Sequence, residues 1–396
     1  MAYKPPPRAG ATVYVWSDYS LQERDRRWKA VQERGAKAGF DCIFVPLGPG
    51  IDARYLTQLR CSSVIMPMDG RAPIVIADRS SRNTWAPEPW QTSREWSEPM
   101  AEALLESGME RARIGVVGLK GGKVSQVSAT DGVVNHGAFS TVLKRLPNAK
   151  FEDATDVVGF VRYVKSAEEI AAMRKAVEIA EAGLDDLTRA ARPGADEAVL
   201  YARAMARMLD LGAEYFPFAW TSGNIDGSDA KRFANPPLGR RLKPNSLIQT
   251  EMIAVYGTQI AEEDQAVLLG AIPEAWKPLI ARHKEVFDAG LKFLRPGKPC
   301  GEILDFAKSG AEKNGMKTEI LLFGRGAGDD GPVIGASTPA DALKGIAVEK
   351  NTLWLWRPTV TSADGKTKFA WGGTVLVGDR GGEVLAKRPH GVTSIS

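Results

Sequence analysis

The chain has 396 residues, of which 25% are charged and 44% are hydrophobic, and its formal net charge is +4. These values are ordinary for a globular protein with enough residues for two domains, and the net charge is too small to indicate a nucleic-acid partner. We expect a cytoplasmic protein without a membrane partner, because no apolar run is long enough to span a bilayer and the first ten residues lack the apolar core of a signal peptide.

Alternating helical and strand patterns predict an N-terminal α/β domain over residues 1–160. Helical patterns cover residues 21–39 and 100–109. Runs of aliphatic and β-branched residues predict strands over residues 42–46, 64–66, 73–77 and 113–117. An open sheet with helices on its faces accounts for this order.

The second part of the chain, residues 161–396, repeats one order of elements. Ser166-Ala167-Glu168-Glu169 has the form of a capping box and begins a helix that reaches about Ala191. Arg-Pro-Gly at 192–194 ends this helix, and a second helix follows over 196–211. The same order returns with a helix over 274–294, Arg-Pro-Gly at 295–297 and a helix over 301–315. We therefore expect an internal two-fold repeat in a C-terminal domain.

Between the two helix pairs, residues 247–270 predict a β-hairpin with a tight turn at Tyr256-Gly257-Thr258. Side chains alternate along a strand, so Glu262 and Asp264 share one face. A single acid in a strand is usually solvated, but this hairpin holds four, which are Glu251, Glu262, Glu263 and Asp264. Clustered like charges require cations, a ligand or raised pKa values, so the hairpin is the first indication of a site.

The chain has three cysteines and three histidines, and neither set has the spacing of a metal or redox motif. They are Cys42, Cys61, Cys300, His136, His283 and His390. Further along, the sequence Gly-Arg-Gly-Ala-Gly at 324–328 lacks the lysine and hydroxyl residue of a phosphate loop. A strand over 352–357 is expected to end at Pro358, and a last strand covers 374–377.

These motifs resemble the family of creatinase, prolidase, aminopeptidase P and methionine aminopeptidase, whose catalytic domain has the pita-bread fold. The resemblance rests on the N-terminal α/β domain, the linker of residues 160–166 before a Glu-rich helix, the repeated helix pairs and the late hairpins. It implies an α/β (α+β) protein with a creatinase-like domain over 1–160 and a pita-bread catalytic domain over 161–396. It also implies a homodimer in which Arg54, Tyr55 or Arg60 reaches the neighbouring active site.

Metal-dependent members of that family hold their metals with two Asp, one His and two Glu. Carried over by position, these ligands fall on Glu251, Glu262, Arg325, Arg357 and Gly372, or on Trp371 with a one-residue slip. Guanidinium groups repel divalent ions and coordinate nothing, so we expect no metal and no other cofactor. A conventional metallopeptidase is therefore not expected.

One stretch, Ser222-Gly223-Asn224-Ile225-Asp226-Gly227-Ser228-Asp229, resembles the segment that carries the catalytic His of creatinase. Asp229 stands in the position of that His. One glutamate of the creatinase site falls at Asp264, and another is missing at Trp371 or Gly372. Creatine hydrolysis is thus not supported, but the family includes metal-free chemistry on small molecules.

We expect the candidate site to combine catalytic carboxylates, which are Glu251, Glu262 and Asp264, with substrate-binding residues, which are Arg325, Arg357, Asp229, Trp220, Trp356 and Trp371. An arginine binds a substrate carboxylate or an oxyanion through a bidentate contact. Glu262 or Glu251 acts as general base or acid, or Glu262 acts as a nucleophile. Aromatic walls suit an aromatic or cationic substrate.

Three functions remain open at this point. The first is metal-free hydrolysis of a C–N bond in a small molecule, as in creatinase and ectoine hydrolase. The second is a lyase reaction that cleaves a C–S or C–C bond, for example with release of formaldehyde from an aromatic alcohol. The third is a non-catalytic binding protein on the same fold, whose acids and arginines only neutralise one another.

Overall fold

A computed structural model describes residues 18–48, 50–78, 81–92, 94–124, 131–225, 232–234, 237, 239–309, 312–335 and 337–395. The chain divides into two compact units, Met1–Tyr163 and Val164–Ser396. The boundary expected after residue 160 lies inside the helix Thr155–Tyr163. Within the described ranges, no helix is both long enough and apolar enough to cross a membrane.

The described part of the first unit contains five helices and a six-stranded sheet. The helices are α1 (Leu21–Lys37), α2 (Asp52–Thr57), α3 (Ser97–Glu106), α4 (His136–Arg145) and α5 (Thr155–Tyr163). The strands are β1 (Cys42–Val45), β2 (Ser62–Pro67), β3 (Ile74–Asp78), β4 (Trp90–Thr92), β5 (Arg113–Val116) and β6 (Lys150–Asp153), in the sheet order β4-β3-β2-β1-β5-β6. Strands β1, β5 and β6 are parallel, whereas β2 is antiparallel to both β1 and β3.

Helices α3 and α4 cover one face of this sheet. Met100 and Leu104 of α3 and Val142 of α4 are buried against Phe44 and Ile114 of the central strands. An apolar helix stripe that packs on an apolar sheet face gives the unit its core. The predicted α/β domain is thus confirmed, although the sequence patterns did not indicate α4, α5, β4 or β6.

The described part of the second unit contains four α-helices, which are α6 (Ala167–Ala190), α7 (Glu197–Asp210), α8 (Lys277–Phe293) and α9 (Cys300–Ser309). Its strands are β7 (Ala219–Asn224), β8 (Arg232–Ala234), β9 (Ser246–Tyr256), β10 (Gln259–Leu269), β11 (Glu312–Lys313), β12 (Met316–Arg325), β13 (Val333–Gly335), β14 (Leu353–Thr361), β15 (Lys368–Ala370), β16 (Gly373–Val377), β17 (Gly382–Val384) and β18 (Val392–Ile395). The central path of the sheet is β11-β12-β14-β16-β10-β9-β7-β8, and the four other strands pair at its sides.

Helix α9 and strand β16 differ from expectation. Helix α9 ends at Ser309 rather than at residue 315, because Asn314 and Gly315, with φ of 55° and 74°, form the two-residue turn of the β11–β12 hairpin. Strand β16 is not the last strand either, since β17 and β18 follow it.

The internal repeat is confirmed in detail. The capping box at Ser166 and Glu169 begins α6 as expected. Gly194 after α6 has φ of 88°, and its N–H donates to the carbonyl of Leu242 at 2.8 Å. Gly297 after α8 has φ of 81°, and its N–H donates to the carbonyl of Val348 at 2.9 Å. Both Arg-Pro-Gly stops therefore use a left-handed glycine to turn the chain and to bond to a segment of the same unit.

Strand β14 continues past Pro358, contrary to expectation. In the described sheet, β16 pairs with β14 up to Trp356, and β15 pairs with it from Thr359. On this edge of β14, neither β16 nor β15 pairs with Arg357 or Pro358, which leaves a gap between the two partner strands. The missing backbone N–H of Pro358 therefore breaks no ladder bond there. The ring of His283 lies against this gap, with Nε2 2.8 Å from the carbonyl oxygen of Pro358.

Candidate active site

The hairpin of β9 and β10 carries the three predicted carboxylates. Gly257 and Thr258 at its tip have φ of 54° and 64°, as a two-residue turn of the hairpin type requires. The register places Asp264 directly opposite Glu251, so these side chains share a face. Glu262 lies two residues before Asp264 on the same face. The hairpin and the shared face of its acids are thus as predicted.

Two arginines from neighbouring strands contact these carboxylates. Arg357 of β14 donates from Nη1 to Glu251 Oε1 at 2.5 Å, and the same nitrogen lies 3.3 Å from Glu262 Oε1. Arg357 Nε lies 3.6 Å from Asp264 Oδ2. Arg325 at the end of β12 forms an ion pair with the other oxygen of Glu262. The structure therefore brings five of the nine predicted site residues together.

Arg325 has a second acidic partner that sequence reasoning missed. Its Nη1 lies 2.8 Å from Asp329 Oδ1 in the loop after β12, and its guanidinium lies over the ring of Phe323 at 4.6 Å. Burial, the largest cause, lowers the pKa of Arg325 to about 10, so the group remains cationic at neutral pH. Arg325 and Glu262 thus form a buried support for the more exposed pair of Arg357 and Glu251.

The surroundings of Asp264 change its pKa strongly. Burial raises its pKa from 3.8 to about 7; the nearby Arg357 charge opposes this rise and the Glu251 charge adds to it. Neither of its oxygens accepts a hydrogen bond from the described residues. A carboxyl with a pKa near neutrality can both accept and return a proton at physiological pH.

A cavity of about 690 Å³ opens beside these groups. Glu251, Asp264 and Arg357 line it, whereas Glu262 and Arg325 are not among its described lining residues. Further polar residues of the lining are Thr221 of β7, Gln249 of β9, Glu319 of β12, Thr359 of β14 and Lys368 of β15. Its volume is in the range of small-molecule sites.

Two predicted tryptophans face away from this cavity. Trp220 is buried, and its Nε1 donates to Glu197 at 2.8 Å on the α7 side of β7. Trp356 points to α8, where its Nε1 donates to the carbonyl of Phe287 at 3.1 Å. Neighbouring residues in a strand face opposite sides, so the orientation of Arg357 toward the cavity turns Trp356 away from it. Both side chains are part of the packing of the second unit.

Trp371 is not in the cavity lining either. Its ring packs edge-on against Phe287 and lies under the guanidinium of Arg388, 4.8 Å from the ring centroid. Its backbone N–H lies 3.2 Å from His283 Nε2. The expectation of an aromatic wall formed by these tryptophans is therefore wrong. Asp229, the remaining predicted residue, lies outside the described residues.

Arg388, in the segment between β17 and β18, was not found from the sequence. Its Nη2 donates to the carbonyl oxygens of Asp264, at 2.8 Å, and of Gly372. Its Nε donates to Gln265 Oε1 at 3.0 Å, and its Nη1 pairs with the buried Glu263. One side chain thus fixes the backbone of β10 at Asp264 from the face opposite the cavity.

The three carboxylates each offer an oxygen within 4.8 Å of the others, close enough to share a cation. A divalent ion would have to displace the guanidinium groups that contact all three of them. Gly372 could not supply a further carboxylate without a shift of β14, because a Cβ there would lie 2.5 Å from the backbone oxygen of Trp356. These residues do not fit a divalent metal site.

Comparisons with known proteins agree with this architecture. Residues 171–379 match the model of metallopeptidase family M24. The chain is 26% identical over 219 residues to an ectoine hydrolase from Halomonas elongata, which covers 52% of this chain and 51% of the relative. It is 23% identical over 311 residues to a creatinase from a Bacillus species, which covers 72% of this chain and 70% of the relative. The chain spans about half the length of several curated relatives that it matches.

The fold matches solved structures along most of the chain. An X-Pro aminopeptidase from Thermotoga maritima superposes with a TM-score of 0.72 at 15% identity, over 93% of this chain and 99% of that chain. The two-unit α/β architecture with its repeated helix pairs is therefore the pita-bread architecture of the prolidase and aminopeptidase P structures.

Proposed function

The chain belongs to metallopeptidase family M24, and from this premise we propose that it is a metal-independent hydrolase of a C–N bond in a small molecule. The proposal rests chiefly on Asp264. Asp264 is one of the residues that line a cavity of about 690 Å³. Its carboxyl lies 3.6 Å from the Arg357 guanidinium, and burial raises its pKa to about 7. The similarity to an ectoine hydrolase and to a creatinase supports the reaction class.

Asp264 acts as the general base in this proposal. Its carboxylate takes a proton from a water molecule as the water oxygen bonds to the carbonyl or amidine carbon of the substrate. The electron pair displaced from the C=O or C=N bond is stabilised by the Arg357 guanidinium, which remains cationic. The neutral Asp264 carboxyl then returns the proton to the leaving nitrogen, and the C–N bond breaks.

The remaining charged residues hold these two groups in place. Glu251 accepts a hydrogen bond from Arg357 at 2.5 Å and so fixes the guanidinium beside the base. Burial opposes the charge of Arg357, but Asp264 and Glu251 raise its pKa. Glu262 lies between both arginines and is not in the cavity lining, which favours a supporting role over the nucleophilic one.

The test is turnover by chelator-treated protein, with products identified by mass spectrometry in water enriched in ¹⁸O. The panel holds ectoine, creatine, an Xaa-Pro dipeptide and N-acylated amines. Hydrolysis puts one ¹⁸O atom into the acyl or urea product, and Asp264→Asn abolishes it. Turnover that needs an added divalent metal, or a product free of ¹⁸O, contradicts the proposal, and the latter result indicates a lyase.

A further inference from the structure

The cavity extends well beyond the proposed reactive groups. Arg357, Thr359 and Thr361 point to one face of β14, so this face covers about 13 Å from the first to the third. Glu319 of β12 lies opposite Thr359, and Lys368 of β15 lies opposite Thr361, on the same face. The register therefore puts a second set of charges level with positions about 7 Å and about 13 Å along β14 from Arg357.

These distant charges form a pair over the rim of the cavity. Lys368 Nζ lies 3.2 Å from Glu319 Oε2, and both side chains line the cavity. They are 60% and 66% exposed. Exposed ion pairs contribute little to stability, so a ligand can separate the two groups at small cost. Each group would then exchange its present partner for an opposite charge on the ligand.

The surface between the two charged regions is apolar in part. Leu321 lies opposite Arg357, Ala370 lies opposite Thr359, and both residues line the cavity. Apolar surface of this length matches an aliphatic spacer rather than a second polar group. A ligand that fills the cavity thus has a C–N bond at one end, methylene groups in the middle and charge at the other end.

We propose that Glu319 and Lys368 bind the α-ammonium and the α-carboxylate of an amino-acid head group. This inference rests on the proposed function, which it deepens by naming the substrate class: amino acids whose side-chain amine carries the acyl group that is removed. Lys368 recognises the carboxylate and Glu319 recognises the ammonium group. Arg357 and Asp264 then meet the acylated nitrogen at the far end of the spacer.

Three acetylated probes separate the two charges. Nε-acetyl-L-lysine carries both, 6-acetamidohexanoate carries only the carboxylate, and N-acetylcadaverine carries only the ammonium group. Binding is measured by isothermal titration calorimetry on Asp264→Asn protein, in which the proposed hydrolysis is blocked. We expect Nε-acetyl-L-lysine to bind about threefold more tightly than either other probe, since a contact between charges as exposed as these contributes about that factor.

Variants assign the two charges. Lys368→Ala in the same background weakens the binding of Nε-acetyl-L-lysine about threefold and leaves that of N-acetylcadaverine nearly unchanged. Lys366→Ala is the matched control, because this exposed lysine lies in the same hairpin but is not among the described lining residues. It is expected to change neither. Glu319→Ala weakens Nε-acetyl-L-lysine and spares 6-acetamidohexanoate.

Equal affinities for the three probes, equal effects of Lys368→Ala and Lys366→Ala, or no binding of any probe would overturn the inference. The two proposals fail separately. C–N hydrolysis without this order of affinities refutes the head-group site alone, and this order of affinities without hydrolysis of any substrate by the unmutated protein refutes the proposed function alone.

Discussion

Because burial raises the pKa of Asp264, the rate of the proposed reaction is expected to rise with pH. The general base must be ionised, and its pKa is raised from 3.8 to about 7. The ionised fraction then rises from about one tenth at pH 6 to about nine tenths at pH 8, so kcat/KM rises about tenfold over this interval. Asp264→Asn loses the base and lowers kcat by a factor of about 10² to 10⁴.

The same carboxyl has an opposite effect on stability. Because its pKa is raised on folding, the folded state binds more protons than the unfolded state between pH 3.8 and about 7, and stability from this group falls as pH rises through that window. Asp264→Asn avoids the buried charge, so the difference in Tm between variant and unmutated protein grows in favour of the variant from pH 5 to pH 8.

Initial rates across pH 5 to 9 and thermal unfolding of both proteins at matched pH test this reasoning. Ectoine, Nε-acetyl-L-lysine or whichever substrate of the panel turns over serves for the rates. A kcat/KM that is flat between pH 6 and pH 8, or an Asp264→Asn variant with unmutated rates, would refute the assignment of the base.

Three further changes have defined outcomes. Arg357→Met is expected to lower kcat about 10²-fold or more, because it removes the group that stabilises the oxyanion. It is also expected to move the pH profile of the rate to higher pH, because Arg357 lowers the pKa of Asp264. A pH-rate series on the variant measures both effects. Arg388→Ala is expected to shift the same profile to higher pH, because Arg388 also lowers that pKa, whereas a loss of stability without any shift would indicate packing alone. Gly372→Ala is expected to cost about 1–3 kcal/mol by urea unfolding, because its Cβ would lie 2.5 Å from a backbone oxygen, and Gly301→Ala, whose Cβ meets nothing within 4 Å, is the control.

The sequence predicted the fold and the carboxylate cluster because both depend on local signals. A capping box, two Arg-Pro-Gly stops and a Gly257-Thr258 turn each act over a few residues, and the turn alone sets which acids of β9 and β10 share a face. Asn314-Gly315 is an equally strong turn signal, and it indicates that α9 ends before residue 314.

The tryptophans were misplaced for a reason that the sequence also contains. If Arg357 faces the cavity, the preceding Trp356 cannot, because adjacent strand residues face opposite sides. The prediction assumed that a tryptophan next to a site residue in the sequence also faces the site. The same alternation separates Trp220 from Ala219 and Thr221, which line the cavity.

The partners that complete the site were beyond sequence reasoning because they depend on long-range pairing. Arg388 contacts the carbonyl of Asp264 from 124 positions away in the chain, and no periodicity links them. His283 and His390 have no metal-ligand spacing in the sequence, yet their ring nitrogens lie 2.8 Å apart. Glu319 and Lys368 meet only because β12 and β15 both lie beside β14.

We propose that arginines have taken the place of metal in an M24 fold, and metal content measured together with turnover tests this proposal. Purified, catalytically active protein is analysed by elemental mass spectrometry before and after dialysis against a chelator, and its rate is measured on the same samples. The account predicts less than a stoichiometric amount of any divalent metal and an unchanged rate after dialysis. A stoichiometric divalent metal whose removal abolishes turnover, and whose return restores it, would contradict the account.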